Sequence, residues 1–228
     1  MSLLISIPIR NHQTRIEPLI KSIEVLLKKE AQSVLFLNEN STDESAKTLQ
    51  YIINQYDIPS YEIINTNNSS RINSFRLTLE KAKNSNVDYI MIMHEGWEDN
   101  IYEFVNIVRS KEYENYDSMI ACRSPQELSL GTIYNFLSNR LSSIVLSSDI
   151  KETKCDSINI YKTKYIPKDI TTYKIEGLFS FRLLCHYLTR GKVKFSDVDF
   201  GLNYRSQVKL NTKRFLGLIY LLISLRFN

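Results

Sequence analysis

The polar side chains of the first hundred residues gather where apolar runs end. LLISIPI is followed by Arg10 and Asn11, VLFL by Asn38, Glu39, Asn40, Ser41, Thr42 and Asp43, and VDYIMIM by HEGWEDN, which holds His94, Glu95, Glu98 and Asp99. Amides and carboxylates accept hydrogen bonds, arginines neutralise anions, and a histidine among three carboxylates offers ligands to a divalent cation. An apolar strand that stops in a polar cluster just before a helix marks an α/β unit. In open sheets of this kind ligands sit beyond the carboxyl ends of the strands, where helix N-termini carry unpaired N–H groups. The spacing therefore places a small-molecule site at the start of the chain.

The elements that must hold these residues can be read from periodicity. Ile16, Leu19, Ile20, Ile23 and Leu27 recur at helical spacing, and Thr14 with Glu17 predicts a capping box at that helix start. Ser41 with Glu44 predicts the same device at a second helix, whose apolar face is Leu49, Ile52, Ile53 and Tyr56. A strand YEIINT (Tyr61 to Thr66) leads to a third helix with Ile72, Phe75, Leu79 and Ala82. The run from Val87 to Met93 is continuously apolar, as a strand buried on both faces requires. Further strands are expected at Ser118 to Cys122, ending at Arg123, and at Ile158 to Tyr161, with a long amphipathic helix between them through Ile133, Leu137, Leu141 and Val145. Strand and helix alternate, so the fold class is α/β with a mostly parallel central sheet flanked by helices. No Pro-, Gly- or Ser-rich linker divides the chain, which predicts one domain over residues 1–210 and an apolar helix over 211–228.

Composition fits a globular domain: 228 residues, 43% hydrophobic, 24% charged, net charge +4. The cysteines (Cys122, Cys155, Cys185) are widely spaced, odd in number and without a CxxC pair, which suggests a reducing compartment. The first apolar run is broken by Pro8 and Arg10 and has no basic flank, so it reads as a strand and not as a signal peptide, and a cytoplasmic location is expected. From Arg182 onward nine basic residues face only Asp197 and Asp199, a cationic surface that precedes FLGLIYLLISLRF (Phe215 to Phe227). That run falls short of the roughly 20 residues a spanning helix needs, so it is either a core helix or an interfacial helix at the inner face of a membrane. HExxH, GxSxG, Walker and GxGxxG patterns are all missing, which removes local support for zinc hydrolase, serine hydrolase, NTPase and dehydrogenase readings. No RNA-binding motif accompanies the basic residues, so no nucleic-acid partner is expected.

In order and spacing the segments resemble those of the family 2 glycosyltransferases of GT-A (Rossmann-like) fold, in particular the branch of dolichol-phosphate mannose synthase and other polyprenyl-phosphate glycosyltransferases. IPIRNHQTRI is similar to that family's opening IPxYNE segment, NENSTDES to DDGSTDGT, SRINSFRLTLEKAK to GKGAALRxGLxxA, MIACR to VIGSR, and YRSQVKLN to RxxGxSKLN. The resemblance implies inverting transfer from a nucleotide-diphosphate sugar to a polyprenyl phosphate or a growing cell-surface glycan, with peripheral membrane association.

Residue by residue, the resemblance implies donor contacts from Pro8, Arg10, Asn11, Asn38, Glu39, Ser41 and Asp43, with Glu39 at the position of the base-recognising Asp. Arg71 stands at the family's Lys and, with Arg123, is expected on the diphosphate. Arg205 and Lys209 are expected to close over it in catalysis. The family's Asp-x-Asp metal motif is replaced by His94-Glu95-Gly96; either His94, Glu95, Glu98 and Asp99 form a substitute set for Mn²⁺ or Mg²⁺, with Glu98 also at the catalytic centre, or the loop is acidic without a metal. Glu176 is the candidate base, although a phosphate acceptor would need none. Thr153 and Asn159 replace the Asp and Arg usual in the synthase branch. The metal-motif change also leaves open a second class, a binding or scaffold protein that retains the fold without catalysis.

Overall fold

The structure, a computed structural model, describes residues 1–67, 71–93, 101–122, 158–166 and 197–199. The order of elements is β1 (Leu3–Ile9), α1 (Ile16–Lys29), β2 (Ser33–Glu39), α2 (Ser45–Gln55), β3 (Tyr61–Thr66), α3 (Arg71–Asn84), β4 (Tyr89–Met93), α4 (Ile101–Arg109), β5 (Ser118–Cys122), β6 (Ile158–Lys162) and β7 (Asp197–Asp199). They build one sheet in the order β3-β2-β1-β4-β6-β5-β7. β3, β2, β1 and β4 run parallel; β6 is antiparallel to both β4 and β5, and β7 is parallel to β5. Of the described strands, β6 alone is reversed.

Alternation along β1 and β2 explains the layers. Leu3, Ile5, Ile7, Ile9, Val34 and Phe36 join Ile16, Ile20 and Ile23 of α1, Leu49 and Ile53 of α2 and Val108 of α4 in one buried cluster. The intervening residues Leu4, Leu35 and Leu37 are also buried, and they share the opposite face with Ser6, whose hydroxyl meets Thr78 of α3 at 2.7 Å. Phe75, Leu79 and Ala82 supply the apolar side of α3. With helices on both faces, β4 is buried at all five positions, as its unbroken apolar run requires.

Pro8 sits within β1 without breaking it. The carbonyl of Leu3 accepts from Gln32 on the β2 side, and that of Ser2 accepts from Asp88 and Tyr89 on the β4 side. By alternation the missing N–H of Pro8 faces β4, beyond the last pair, Ser6 with Ile92, so no ladder bond is lost.

The chain passes from β1 to β2 to β3 in one direction and returns past β1 to β4. That reversal is a topological switch point between β1 and β4, and open α/β sheets bind ligands at the carboxyl side of such a point. The helix expected across residues 133–145 and the terminal helix over 211–228 lie outside the described residues. Among the described residues no helix is long and apolar enough to cross a membrane.

Candidate functional site

Both strand exits turn on an asparagine. Asn11, after β1, has φ 52°, and Asn40, after β2, has φ 51°. This left-handed region is unfavourable for most side chains, and asparagine is among the few that enter it readily. The two turns bring the β1–α1 and β2–α2 loops together, and the loops are stitched through their polar groups. Three successive backbone N–H groups of the first loop donate to side chains of the second: Asn11 to Ser41 Oγ at 3.1 Å, His12 to Ser45 Oγ at 2.8 Å, and Gln13 to Asp43 Oδ2 at 3.2 Å. The second loop returns two bonds to Asn11 Oδ1, from the N–H of Thr42 at 2.8 Å and from its hydroxyl at 3.4 Å. Asp43 Oδ1 accepts from the N–H of Ser45 at 3.0 Å, so one carboxylate serves both loops.

These contacts replace the two expected capping boxes. α1 starts at Ile16 and α2 at Ser45, and neither has a side-chain cap on its N-cap residue. Ser41 and Asp43 bond across the loops, while the carbonyl of His12 takes the N–H groups of Arg15 and Ile16. The N–H groups of residues 11 to 13 and 40 to 42, like those of Arg15, Ile16 and Ser45, are spent within the loops.

Asn38 ties in the third strand. Its Oδ1 accepts from the N–H of Ser41 at 3.3 Å, and since a backbone N–H can only donate, this fixes the amide orientation. Its Nδ2 then donates to Asn65 Oδ1 at 2.8 Å, and Thr66 Oγ1 donates to the Asn38 carbonyl at 3.3 Å. Asn65, Thr66 and Ser45 escaped sequence reading, although Asn65 and Thr66 close the strand YEIINT and Ser45 closes NENSTDES.

Glu39 ends β2 and is 3% exposed. Alternation puts it with Leu35 and Leu37 on the face of α3, opposite Asn38, in register with Thr66. Burial works to raise the Asp43 carboxyl, but hydrogen bonds from Ser45 and Gln13 outweigh it and hold the group below its ordinary value. Arg10 is exposed and Pro8 half-buried at the end of β1. Arg71 is the first residue of α3.

Pro8, Arg10, Asn11, Asn38, Glu39, Ser41 and Asp43 are thus brought to one end of the sheet. His94, Glu95, Glu98, Asp99, Arg123, Glu176, Arg205 and Lys209, expected at the site, lie outside the described residues. Among the described residues no group of three or more His, Cys, Asp or Glu can hold a metal. Asp197 and Asp199, counted in the sequence only as charges in a basic region, lie on β7, with Asp199 in register with Cys122 at the end of β5.

No protein-family profile and no curated protein matches the chain. Solved structures do match it. A mycobacterial protein superposes with a TM-score of 0.64 at 12% identity, over 99% of this chain and 75% of its own. Glucosyl-3-phosphoglycerate synthase from Mycobacterium tuberculosis, in complex with Mn²⁺, UDP-glucose and phosphoglyceric acid, gives 0.62 at 11% identity, over 99% and 80%. The same synthase with Mg²⁺ and UDP gives 0.61 at 11%, over 99% and 79%. At such identity the likeness is one of fold. The architecture is the α/β fold of the GT-A glycosyltransferases, with a mostly parallel sheet between helices.

Proposed function

We propose that this chain is a glycosyltransferase that takes a sugar from a nucleoside-diphosphate donor by direct displacement with inversion, as a relative of the family 2 enzymes. The observation that supports it best is Glu39, a carboxylate buried at the carboxyl end of β2 in a fold whose neighbours bind UDP-glucose. A carboxylate is expensive to bury. There it would accept from a nucleoside base. The β1–α1 and β2–α2 loops spend their N–H groups on each other, so they suit the uncharged nucleoside and make a poor phosphate cradle.

The diphosphate then belongs to cations from elsewhere: Arg71 at the start of α3, Arg123 after β5, and Arg205 and Lys209. Cations aimed at the leaving diphosphate act where charge grows in the transition state. The donor chemistry of His94, Glu95, Glu98 and Asp99, three carboxylates and an imidazole, suits Mn²⁺ or Mg²⁺, which when bound would neutralise diphosphate charge. Glu176 would take the proton of a hydroxyl acceptor, whereas a phosphate acceptor is already anionic at neutral pH. The acceptor we propose is a polyprenyl phosphate or a cell-surface glycan, met at the inner face of the cytoplasmic membrane through the helix over 211–228.

One feature favours a second reading, a binding or scaffold protein without transfer: His94-Glu95-Gly96 in place of Asp-x-Asp. Calorimetric titration with UDP-, GDP- and dTDP-sugars, with and without Mn²⁺, separates the two. Saturable binding of one donor, strengthened by Mn²⁺, supports the transferase; no binding of any donor removes it and leaves the scaffold.

A further inference from the structure

Asn11, Asn38, Ser41 and Asp43 stand at the positions of donor-contacting residues, yet every one of them is engaged inside the protein. Asn38 is 7% exposed, its Oδ1 held by Ser41 and its Nδ2 by Asn65. Asn11 gives its N–H to Ser41 Oγ and its Oδ1 to Thr42. Asp43 has one oxygen on the N–H of Gln13 and the other on the N–H of Ser45. These bonds form a continuous chain from the end of β3, through Asn38 at the end of β2, to the loop that leaves β1, and Glu39 follows Asn38 directly. The loops carry two left-handed asparagines, in a region that asparagine enters more readily than most residues.

We propose that Asp43 is a positioning residue: without touching the donor, its carboxylate clasps the β1–α1 loop to the start of α2 and so sets the nucleoside site beside Glu39 before the donor arrives. This rests on the glycosyltransferase reading, because the occupant of that site is the nucleoside of the donor. The advantage is preorganisation, since a loop already ordered loses less entropy when the ligand binds. A carboxylate is suited to the task because it accepts with both oxygens. The amide of Asn, nearly the same in shape, has a single acceptor oxygen and must turn an NH₂ toward one of the two N–H donors.

Asp43→Asn is therefore the informative change, with Glu44→Gln as the control on the same loop, where Glu44 pairs, among the described residues, with the exposed Lys47. The two variants and the wild type are titrated with UDP, GDP and dTDP, and hydrogen exchange is followed at the Gln13 amide. The expected result is faster exchange at Gln13 and nucleotide affinity about tenfold weaker in Asp43→Asn, the size of one charge-assisted hydrogen bond, with cooperative thermal unfolding retained. Glu44→Gln should match the wild type in all three readouts. Wild-type affinity in Asp43→Asn despite faster Gln13 exchange would make the clasp structural only and overturn the inference. Unchanged Gln13 exchange would overturn it as well. Failure of the wild type to bind any nucleotide would instead overturn the glycosyltransferase reading itself.

Discussion

The two ends of the sheet use the same kinds of side chain for different ends. At the amino-terminal edge opposite charges are paired. Lys162 at the end of the reversed β6 meets Asp117 at 2.7 Å, with side chains 21% and 6% exposed, and also lies 5.6 Å from the centre of the Tyr89 ring. Tyr89 donates to the carbonyls of Glu114 and Tyr116 and packs edge-on against Tyr113 at 5.0 Å. The N–H of Ser2 is held by Asp88 at 2.8 Å, and the terminal amine reaches Glu114 at 3.5 Å. At the carboxyl end Asp43, Asn38 and Ser41 accept from backbone N–H groups of the loops. The first arrangement cancels charge and locks strands; the second shapes a rim and keeps a carboxylate, Glu39, within it.

The largest effect should come from breaking the amino-terminal pair. Lys162→Met leaves Asp117 buried without its cation and should destabilise the fold by about 3 kcal/mol in urea unfolding, while nucleotide affinity stays that of the wild type. A loss of affinity there would blur the division between the ends. Next in size is Glu39→Ala, for which nucleotide binding should weaken by about tenfold or more in the same titration.

The pH profile sharpens the comparison. Burial works to lower the Lys162 pKa, but hydrogen bonds to Asp117 and Tyr89 raise it above the ordinary 10.5, and burial pushes Tyr113 from 10.0 up to about 12. Both groups hold their protons more tightly when folded. Their contribution is therefore complete below their unfolded pKa values and fades as pH climbs through the folded ones, so stability should fall from pH 10 upward. On the acid side, hydrogen bonds from Ser2 lower Asp88 below 3.8, and Asp43 is likewise lowered, so their contribution is present above that value and fades as pH drops through the folded pKa values. Thermal unfolding across this range should show a plateau with two falling limbs. Lys162→Met should flatten the alkaline limb and Asp43→Asn the acid one; a limb that ignores its variant would assign it to other groups. The smallest effect belongs to the middle of the sheet. Ser6→Ala removes the hydroxyl that meets Thr78, itself bonded to the Ser74 carbonyl, and should cost about 1 kcal/mol without touching affinity.

Most of the first ninety residues could be read directly. Continuous apolar runs at β1, β2 and β4 and the 3.6-residue spacing in α1, α2 and α3 are local signals, and burial enforces them. The helix starts were misread because a capping box assumes that a hydroxyl bonds three residues ahead, whereas Ser41 Oγ is taken by Asn11, thirty residues back. The insertion of a reversed β6 between β4 and β5 is fixed by pairing across distant segments, for which INIYK carries no local mark. At the site, Glu39 was legible from its place after VLFL. The role of Asp43 was not, because its partner Gln13 belongs to another loop.

The central claim is that the carboxyl end of the sheet is a nucleotide site and the amino-terminal edge a structural lock. It is tested most directly by measuring UDP, GDP and dTDP affinity and urea stability together in the wild type, Glu39→Ala and Lys162→Met. Affinity should be lost in Glu39→Ala, whereas Lys162→Met should lose stability and keep affinity. Nucleotide binding by Glu39→Ala at wild-type strength would contradict it.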